Sequence, residues 1–150
     1  MNSRITPLVP PGKARTIDLG KGWKPPVLTP NASNRELGRW GEELAAQHLE
    51  ARGIDFLDRN WRSANGEIDL VCWDSQRRAV FACEVKTRRE GGRVPSIESI
   101  SRAKLSRLRR LISQWMDVHE HAAPLVAIDL VAITVSEGQG WNLCHIEGVA

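Results

Sequence analysis

A nearly continuous apolar run at residues 125–135 is the sequence feature that most constrains the fold. A half-buried strand alternates apolar and polar side chains, so a strand as apolar as this one is buried on both faces. Such a strand lies inside a sheet whose two faces are covered by other elements. With 150 residues the chain has about the size of one domain, so we expect one hydrophobic core around this strand.

Two helices are expected before this run. Ser33-Asn34-Arg35-Glu36 has the form of a capping box and predicts a helix that begins here, with Gly53 as its stop signal. A second helical period extends from about residue 96 to about residue 119. The N-terminal segment holds most of the prolines and no sustained apolar period. We therefore expect a flexible extension at residues 1–32 and the folded domain at residues 33–150.

Strand-like runs complete the order helix, three strands, helix, two strands. They are short, rich in apolar residues and bounded by turn residues. Only short polar segments separate the first three, which therefore predict an antiparallel meander. The runs lie at residues 54–61, 67–73, 79–87, 125–135 and 141–146.

Composition and charge exclude several classes of protein. The net charge of +3 is a mild excess of base, which favours a polyanionic partner without identifying it. No apolar run approaches the roughly 18 residues that span a bilayer, and no signal-peptide pattern opens the chain. We therefore expect a cytoplasmic protein with no membrane partner. Cys72, Cys83 and Cys144 lie far apart, so we expect buried free thiols rather than a zinc site or a disulfide.

Acidic residues interrupt the second predicted strand at positions where apolar residues would be less costly to bury. A period of two places Glu67 and Asp69 on one face of this strand. The opposite face then carries Ile68, Leu70 and Cys72. Burying an unpaired charge costs several kcal/mol or shifts a pKa, so these carboxylates require a compensating partner.

The third predicted strand repeats this pattern. Glu84 and Lys86 share one of its faces. The opposite face carries Phe81, Cys83 and Val85.

Two partners would compensate these buried charges. Carboxylate oxygens are hard ligands suited to Mg²⁺ or Mn²⁺, and the Lys86 ammonium would then reach a metal-bound water or a phosphate oxygen. The alternative is a structural ion pair of Lys86 with Glu84 or Asp69, without a metal. The spacing of the residues leaves both open.

Other charged residues are candidates by position. Glu42 lies at the edge of the apolar stripe of the first helix, whereas Glu43 points away from it. Lys104 lies inside the apolar stripe of the second helix, so its ammonium group either extends to solvent or meets an acid or a phosphate. Arg88 and Arg89 follow the Glu-Val-Lys strand in a basic loop, which either binds a phosphate backbone or is simply solvated.

Several motifs occur together in a fixed order between about residues 35 and 135. They are Leu37-Gly38-x-x-Gly41-Glu42-x-x-Ala45, Asn60-x-Arg62, Gly66-Glu67-Ile68-Asp69-Leu70, Phe81-x-x-Glu84-Val85-Lys86-Thr87-Arg88, Lys104 and Ile128-Asp129-Leu130-Val131. With these motifs the chain resembles the YraN family. Proteins of that family are similar to archaeal Holliday-junction resolvases and belong to the PD-(D/E)XK nuclease superfamily.

The resemblance implies a restriction-endonuclease-like α/β fold, with an αβββαβ core and a mixed central sheet flanked by helices. It also implies that Asp69 and Glu84 hold Mg²⁺ or Mn²⁺ and that Lys86 orients or activates water. Glu42, from the first helix, would complete the acidic cluster as a third metal ligand. The role of Glu67, an acid added to the superfamily pattern, is left open.

Three functions are compatible with these residues. The first is a metal-dependent nuclease of structured or branched DNA, acting in repair or recombination by phosphodiester hydrolysis. The second is a nucleic-acid-binding module that kept the fold without turnover, and the third is a structural or protein-interaction domain. The intact set of Asp69, Glu84 and Lys86 favours the first. The resemblance to resolvases further implies a homodimer.

Overall fold

The computed structural model describes residues 14–16, 27–90, 100–136 and 140–149. Within these ranges the chain forms two helices and six strands, and neither helix is long and apolar enough to cross a membrane. The elements are β1 (Ala14–Thr16), α1 (Asn34–Ala51), β2 (Asp55–Ser63), β3 (Gly66–Asp74), β4 (Ala79–Arg89), α2 (Arg102–Val118), β5 (Leu125–Ser136) and β6 (Gly140–Ile146).

The strands form one mixed sheet in the order β1-β6-β5-β4-β3-β2. β2, β3 and β4 pair antiparallel, which confirms the predicted meander. β4 and β5 pair parallel, because the chain returns through α2 between them. The order α1-β2-β3-β4-α2-β5 confirms the predicted αβββαβ core, to which β6 adds an antiparallel strand.

The two helices pack on opposite faces of the sheet. Leu44 of α1 belongs to a core cluster with Phe81 of β4, whereas Leu111 of α2 belongs to a cluster with Ala82. Phe81 and Ala82 are consecutive, and successive side chains of a strand point to opposite faces. Between the helices, β5 is buried over most of its length, as its apolar run predicts.

Both ends of α1 follow the sequence signals. Ser33 is the N-cap, and its hydroxyl accepts a hydrogen bond from the backbone N–H of Glu36 at 3.2 Å. Gly53 follows the C-cap with a φ of 78°, a left-handed conformation that glycine adopts without a steric penalty. The predicted helix boundaries are therefore confirmed here.

The start of α2 differs from the expectation. Ser101 is extended and caps the helix, with its hydroxyl accepting a hydrogen bond from the backbone N–H of Lys104 at 3.1 Å. Residues 100 and 101 therefore precede the helix, so the predicted helical conformation is wrong for these two residues. Residues 96–99 lie outside the described residues.

The expected N-terminal extension contains one regular element. Ala14–Thr16 pairs antiparallel with β6 and extends the sheet by a short edge strand. The sequence did not predict it, because the outer edge of β6 offers backbone hydrogen-bonding groups that only the folded sheet brings into reach. Residues 1–13 and 17–26 lie outside the described residues, and the flexibility of the extension stays a prediction.

Gly41 sets the distance between α1 and the sheet. A Cβ atom built at Gly41 would overlap the hydroxyl of Thr87 in β4, so the helix backbone packs directly against that side chain. A Cβ built at Gly38, one turn earlier, would meet no atom within 4 Å. The close approach at Gly41 also fixes the position of the following residue, Glu42.

We predict opposite effects of adding a methyl group at these two glycines. Gly41→Ala should destabilise the fold by about 1–3 kcal/mol, because the new methyl group overpacks the contact with Thr87. Gly38→Ala should stabilise it by up to about 1 kcal/mol through helix propensity. Urea unfolding followed by circular dichroism measures both. Equal effects of the two substitutions would contradict the close contact.

Candidate functional site

β3 and β4 stop pairing as regular strands at one end of the sheet. Their register runs from Asp74 paired with Ala79 to Leu70 paired with Cys83. At the next position the Asp69 side chain replaces the strand partner, because its Oδ2 accepts a hydrogen bond from the backbone N–H of Val85 at 3.1 Å. The Asp69 carboxylate is therefore fixed where the two strands separate.

The alternation of side chains along β3 breaks at Asp69. Ile68 packs in the cluster beneath α2, whereas Leu70 packs in the cluster beneath α1. The prediction that Ile68 and Leu70 share a face is therefore wrong. The cause is local, because Asn60 lies between the β2 residues paired with Leu70 and Ile68 and has a φ of 51°. A left-handed residue of this kind interrupts the regular pleat.

β4 keeps the predicted alternation through the site. Phe81, Cys83 and Val85 pack against the core beneath α1, which leaves Glu84 and Lys86 on the other face. This part of the sequence interpretation is confirmed.

Glu84 is buried and attracts two lysines. The relative exposure of the residue is 5%, and its Oε1 lies 3.7 Å from Lys86 Nζ and 3.4 Å from Lys104 Nζ. The structural ion pair between Glu84 and Lys86 is thus present. Lys104 lies within the apolar stripe of α2, and it is accommodated there because its ammonium group reaches this carboxylate. In the described ranges, by contrast, Asp69 makes no ion pair with Lys86 or any other cation.

The electrostatic surroundings of Asp69 disfavour its charge. Burial, followed by the negative charges of Glu84 and Glu42, raises the pKa of Asp69 to about 7. The hydrogen bond from the Val85 N–H and the positive charge of Lys104 act in the opposite direction without cancelling the rise. Asp69 therefore carries its proton under mildly acidic conditions unless a further cation approaches.

Glu42 and Glu43 differ as the helical wheel predicts. Burial and the charge of Glu67 raise the pKa of Glu42, and the charge of Glu84 adds to the rise. Glu43 instead makes an exposed ion pair with Arg59 at 3.0 Å. Glu42 thus lies within the field of the acidic residues, while Glu43 faces away from them.

Asp69 and Glu84 each have one oxygen that suits a metal ligand. Asp69 Oδ1 and Glu84 Oε2 have no hydrogen-bond or ion-pair partner in the part of the chain that the structure describes. Hard carboxylate oxygens of this kind fit Mg²⁺ or Mn²⁺, which keep waters in their remaining positions. Over the same residues, no three His, Cys, Asp or Glu side chains form a ready-made metal site. The ligand set of Asp69, Glu84 and Glu42 therefore stays a prediction.

Comparisons with known proteins place the chain in a family. Residues 41–133 match the model of a family described as uncharacterised protein family UPF0102. The chain is 40% identical to a UPF0102 protein of Kineococcus radiotolerans over 115 residues, which cover 76% of this chain and 93% of the relative. It is 43% identical to one from Arthrobacter sp. over 114 residues, or 75% of this chain and 94% of the relative.

The chain belongs to the UPF0102 family. The resemblance to YraN proteins is confirmed, since UPF0102 is the same family. The segment that matches the UPF0102 model contains Glu42, Asp69, Glu84, Lys86 and Lys104. The family description assigns no activity, so the geometry of the site is the basis for a functional proposal.

Arg88 and Arg89 lie within β4 and not in the loop that the sequence predicts. β4 extends to Arg89 because its last residues pair with β5. The Arg89 guanidinium donates a hydrogen bond to the carbonyl oxygen of Ala32 at 2.7 Å, just before α1. Alternation along β4 places Arg88 on the face that carries Glu84 and Lys86. The structure therefore separates the two arginines, and only Arg88 shares the face of the site.

A second polar cluster lies beneath α1 and was not recognised in the sequence. Asp129 of β5 accepts hydrogen bonds from both terminal nitrogens of Arg77, at 2.7 and 3.0 Å. It also accepts bonds from His145 Nε2 at 2.8 Å and the Gly148 N–H at 2.9 Å. Burial raises the pKa of Asp129, but the bonds from His145 and Arg77 outweigh it and hold the pKa below its usual value. The signal was an aspartate inside the apolar run of β5.

Two imidazoles, those of His48 and His145, lie beside this cluster. Arg52 lies 2.8 Å from His145 Nδ1, and a guanidinium only donates, so the His145 proton resides on Nε2 and faces Asp129. His48 is buried, as its place on the apolar stripe of α1 predicts, and neither ring nitrogen has a partner among the described residues. Burial, with the nearby His145 and Arg52, lowers the pKa of His48 to about 3.

We predict that Asp69 makes stability depend on pH in a direction unusual for an aspartate. Its pKa in the folded protein, about 7, exceeds its usual value of 3.8, so the folded state binds more protons between these values. Stability should therefore fall as pH rises from about 4 to 8. Asp69→Asn keeps an acceptor for Val85 and removes this fall. The variant should melt higher than wild type by roughly 5 °C at pH 8.

The measurement is a pair of thermal melts at pH 5 and pH 8. Asp55→Asn, at an exposed position of β2, is the matched control and should melt with wild type at both values. A difference between Asp69→Asn and wild type that does not grow with pH would contradict the raised pKa.

Proposed function

We propose that this protein is a metal-dependent nuclease that hydrolyses phosphodiester bonds of structured or branched DNA in the cytoplasm. One observation carries the proposal. Asp69 is a partly buried carboxyl beside Glu84, where β3 and β4 separate, and no cation of the described residues pairs with it. A buried carboxylate without a cation destabilises the fold, so its retention is explained best by an external cation.

Asp69 and Glu84 are the residues that would hold Mg²⁺ or Mn²⁺, through the oxygens that face no protein partner. When bound, such an ion polarises a phosphoryl oxygen and lowers the pKa of bound water. Glu42 supports the site from α1 with a third negative charge, which favours a divalent over a monovalent cation.

Lys86 and Lys104 supply positive charge on the other side of Glu84. Both ammonium groups lie within 4 Å of the same Glu84 oxygen. Lys86 is about one-third exposed, so it is able to release Glu84 and donate hydrogen bonds to a phosphate or to the attacking water. Lys104 then keeps a positive charge beside Glu84.

The DNA substrate is inferred from chemistry and from the likeness to resolvases. Phosphodiesters are anionic, and the net charge of +3 favours their approach. Resolvase-like proteins act on branched DNA as dimers. A homodimer of this chain would present two such sites to two strands.

A second candidate function is nucleic-acid binding without turnover. It is favoured by the existing Glu84–Lys86 contact and by the lack of a preformed three-residue metal site among the described residues. In that case the site would be an ion-pair network on a binding domain.

We predict that Mn²⁺ binding requires Asp69 and Glu84. Isothermal titration of the full chain with Mn²⁺ at pH 8 should show binding, and Asp69→Asn and Glu84→Gln should each weaken it at least roughly tenfold. Glu43→Gln is the matched control, since Glu43 faces away and pairs with Arg59. Unchanged titrations in both site variants would refute the metal site.

We predict that Lys86→Met separates DNA binding from cleavage. The variant should stay folded and keep its DNA affinity, yet lose roughly 100-fold in single-turnover cleavage rate, because Lys86 acts on the water or the phosphate. The assay uses single-stranded, duplex, flap and four-way DNA with Mg²⁺ or Mn²⁺. Arg78→Met, at the opposite end of β4, removes the same charge and should cleave like wild type.

Two results would decide against this role. Wild-type cleavage rates in Lys86→Met would remove Lys86 from catalysis. No cleavage of any of these DNAs by wild type with either metal would favour the binding module instead.

A further inference from the structure

α2 is a strongly basic helix. It carries five cationic side chains in 17 residues, and Asp117 is its single acid. The cationic residues are Arg102, Lys104, Arg107, Arg109 and Arg110. No acid lies in the first turn, where negative side chains would favour the helix dipole. This charge distribution opposes helix stability unless an anion approaches.

Helical spacing divides these cations between two flanks. Lys104, Arg107 and Arg110 follow one another at intervals of three residues and form one ridge, which we call the basic ridge. Arg102 and Arg109 are seven residues apart and share the other flank of the helix. Within the described ranges, Arg107 and Arg110 are exposed and make no ion pair.

The basic ridge runs from the carboxylates along the turn between β2 and β3. Lys104 forms the end of the ridge nearest the carboxylates, where its Nζ lies 3.4 Å from Glu84 Oε1. The stem of Arg107 lies over Gly66, because a Cβ built at Gly66 would lie 3.3 Å from Arg107 Cδ. Gly66 opens β3, three residues before Asp69.

The far end of the basic ridge is polar and open. Arg109 and Arg110 line a depression together with Asn65, Ser113, Gln114 and Asp117. The Gln114 Oε1 accepts a hydrogen bond from the Ser63 hydroxyl at 3.1 Å, which ties this part of α2 to the turn. Amide side chains and arginines together are typical phosphate-contacting groups.

We infer that the basic ridge binds the phosphate backbone of a DNA strand and leads it to Asp69 and Glu84. From Lys104 to Arg110 the helix rises about 9 Å, which matches roughly three phosphates of one strand in duplex DNA. Like charges at intervals of three residues repel each other, and a polyanion removes this repulsion. As a path to a cleavage site, the inference rests on the proposed function.

The test compares the basic ridge with exposed arginines outside it. Arg107→Gln/Arg110→Gln removes two charges from the basic ridge, and Arg78→Gln/Arg102→Gln removes two charges that lie outside the ridge and outside the depression. Fluorescence anisotropy of a fluorescein-labelled 30-base-pair duplex in EDTA measures affinity without cleavage. The ridge variant should bind about tenfold more weakly at moderate salt, and its salt slope should fall by roughly two. The control variant should change affinity less than about twofold.

The outcomes distinguish this inference from the nuclease proposal. Equal losses in the two double variants, or no binding of DNA by wild type, would overturn the basic ridge whatever the cleavage assay shows. Selective loss in the ridge variant would support it even if wild type never cleaved DNA. Arg107 packs over Gly66, so replacing it also removes a packing contact. The second variant is therefore the single substitution Arg110→Gln. Its exposed side chain makes no core contact, and it should weaken binding about threefold in a chain that melts like wild type.

Discussion

The hydrogen bond from the Val85 N–H to Asp69 is the interaction on which the candidate site depends. It replaces strand pairing where β3 and β4 separate, and it leaves the other carboxylate oxygen of Asp69 without a hydrogen-bond partner among the described residues. If β3 and β4 paired regularly at this position, the backbone of residue 69 would bond to β4 and the two strands would not separate here. The same bond explains why an aspartate, with a short acceptor side chain, occupies the position.

A comparison of two aspartates, Asp129, which is fully buried, and Asp69, which is partly buried, separates a structural role from a proposed functional one. Asp129 receives four hydrogen bonds from Arg77, His145 and Gly148, and its pKa is held low. Asp69 receives one bond, and its pKa is raised. The fold is therefore able to satisfy a buried carboxylate completely, and at Asp69 it does not. Bonds from the chain itself account for the burial of Asp129, whereas at Asp69 the proposed metal ion would supply a partner that the described residues do not.

Local patterns in the sequence predicted the features that depend only on residues close together in the chain. The face shared by Glu84 and Lys86 and the hydroxyl cap at Ser33 follow from alternation and capping, and both are confirmed. The break in alternation at Asp69 was not predictable, because it arises from the left-handed conformation of Asn60 in the neighbouring strand β2, which the local pattern of β3 does not reveal. His145 gave no signal either, since its partner Asp129 is sixteen positions away in the chain and meets it only in the sheet.

The uneven distribution of positive charge around the two carboxylates bears on how a reaction would proceed. Two lysines contact Glu84, and no lysine of the described residues makes an ion pair with Asp69. Glu84 is thus paired with cations of the chain itself, whereas burial and the neighbouring negative charges raise the pKa of Asp69, so a cation approaching from solvent would favour its ionised form. Since the basic ridge ends at Lys104, an arriving phosphate would compete with Glu84 for that lysine. In the proposed nuclease, binding of the anion and binding of the cation at this site would therefore be coupled, because each changes the charge that the other meets.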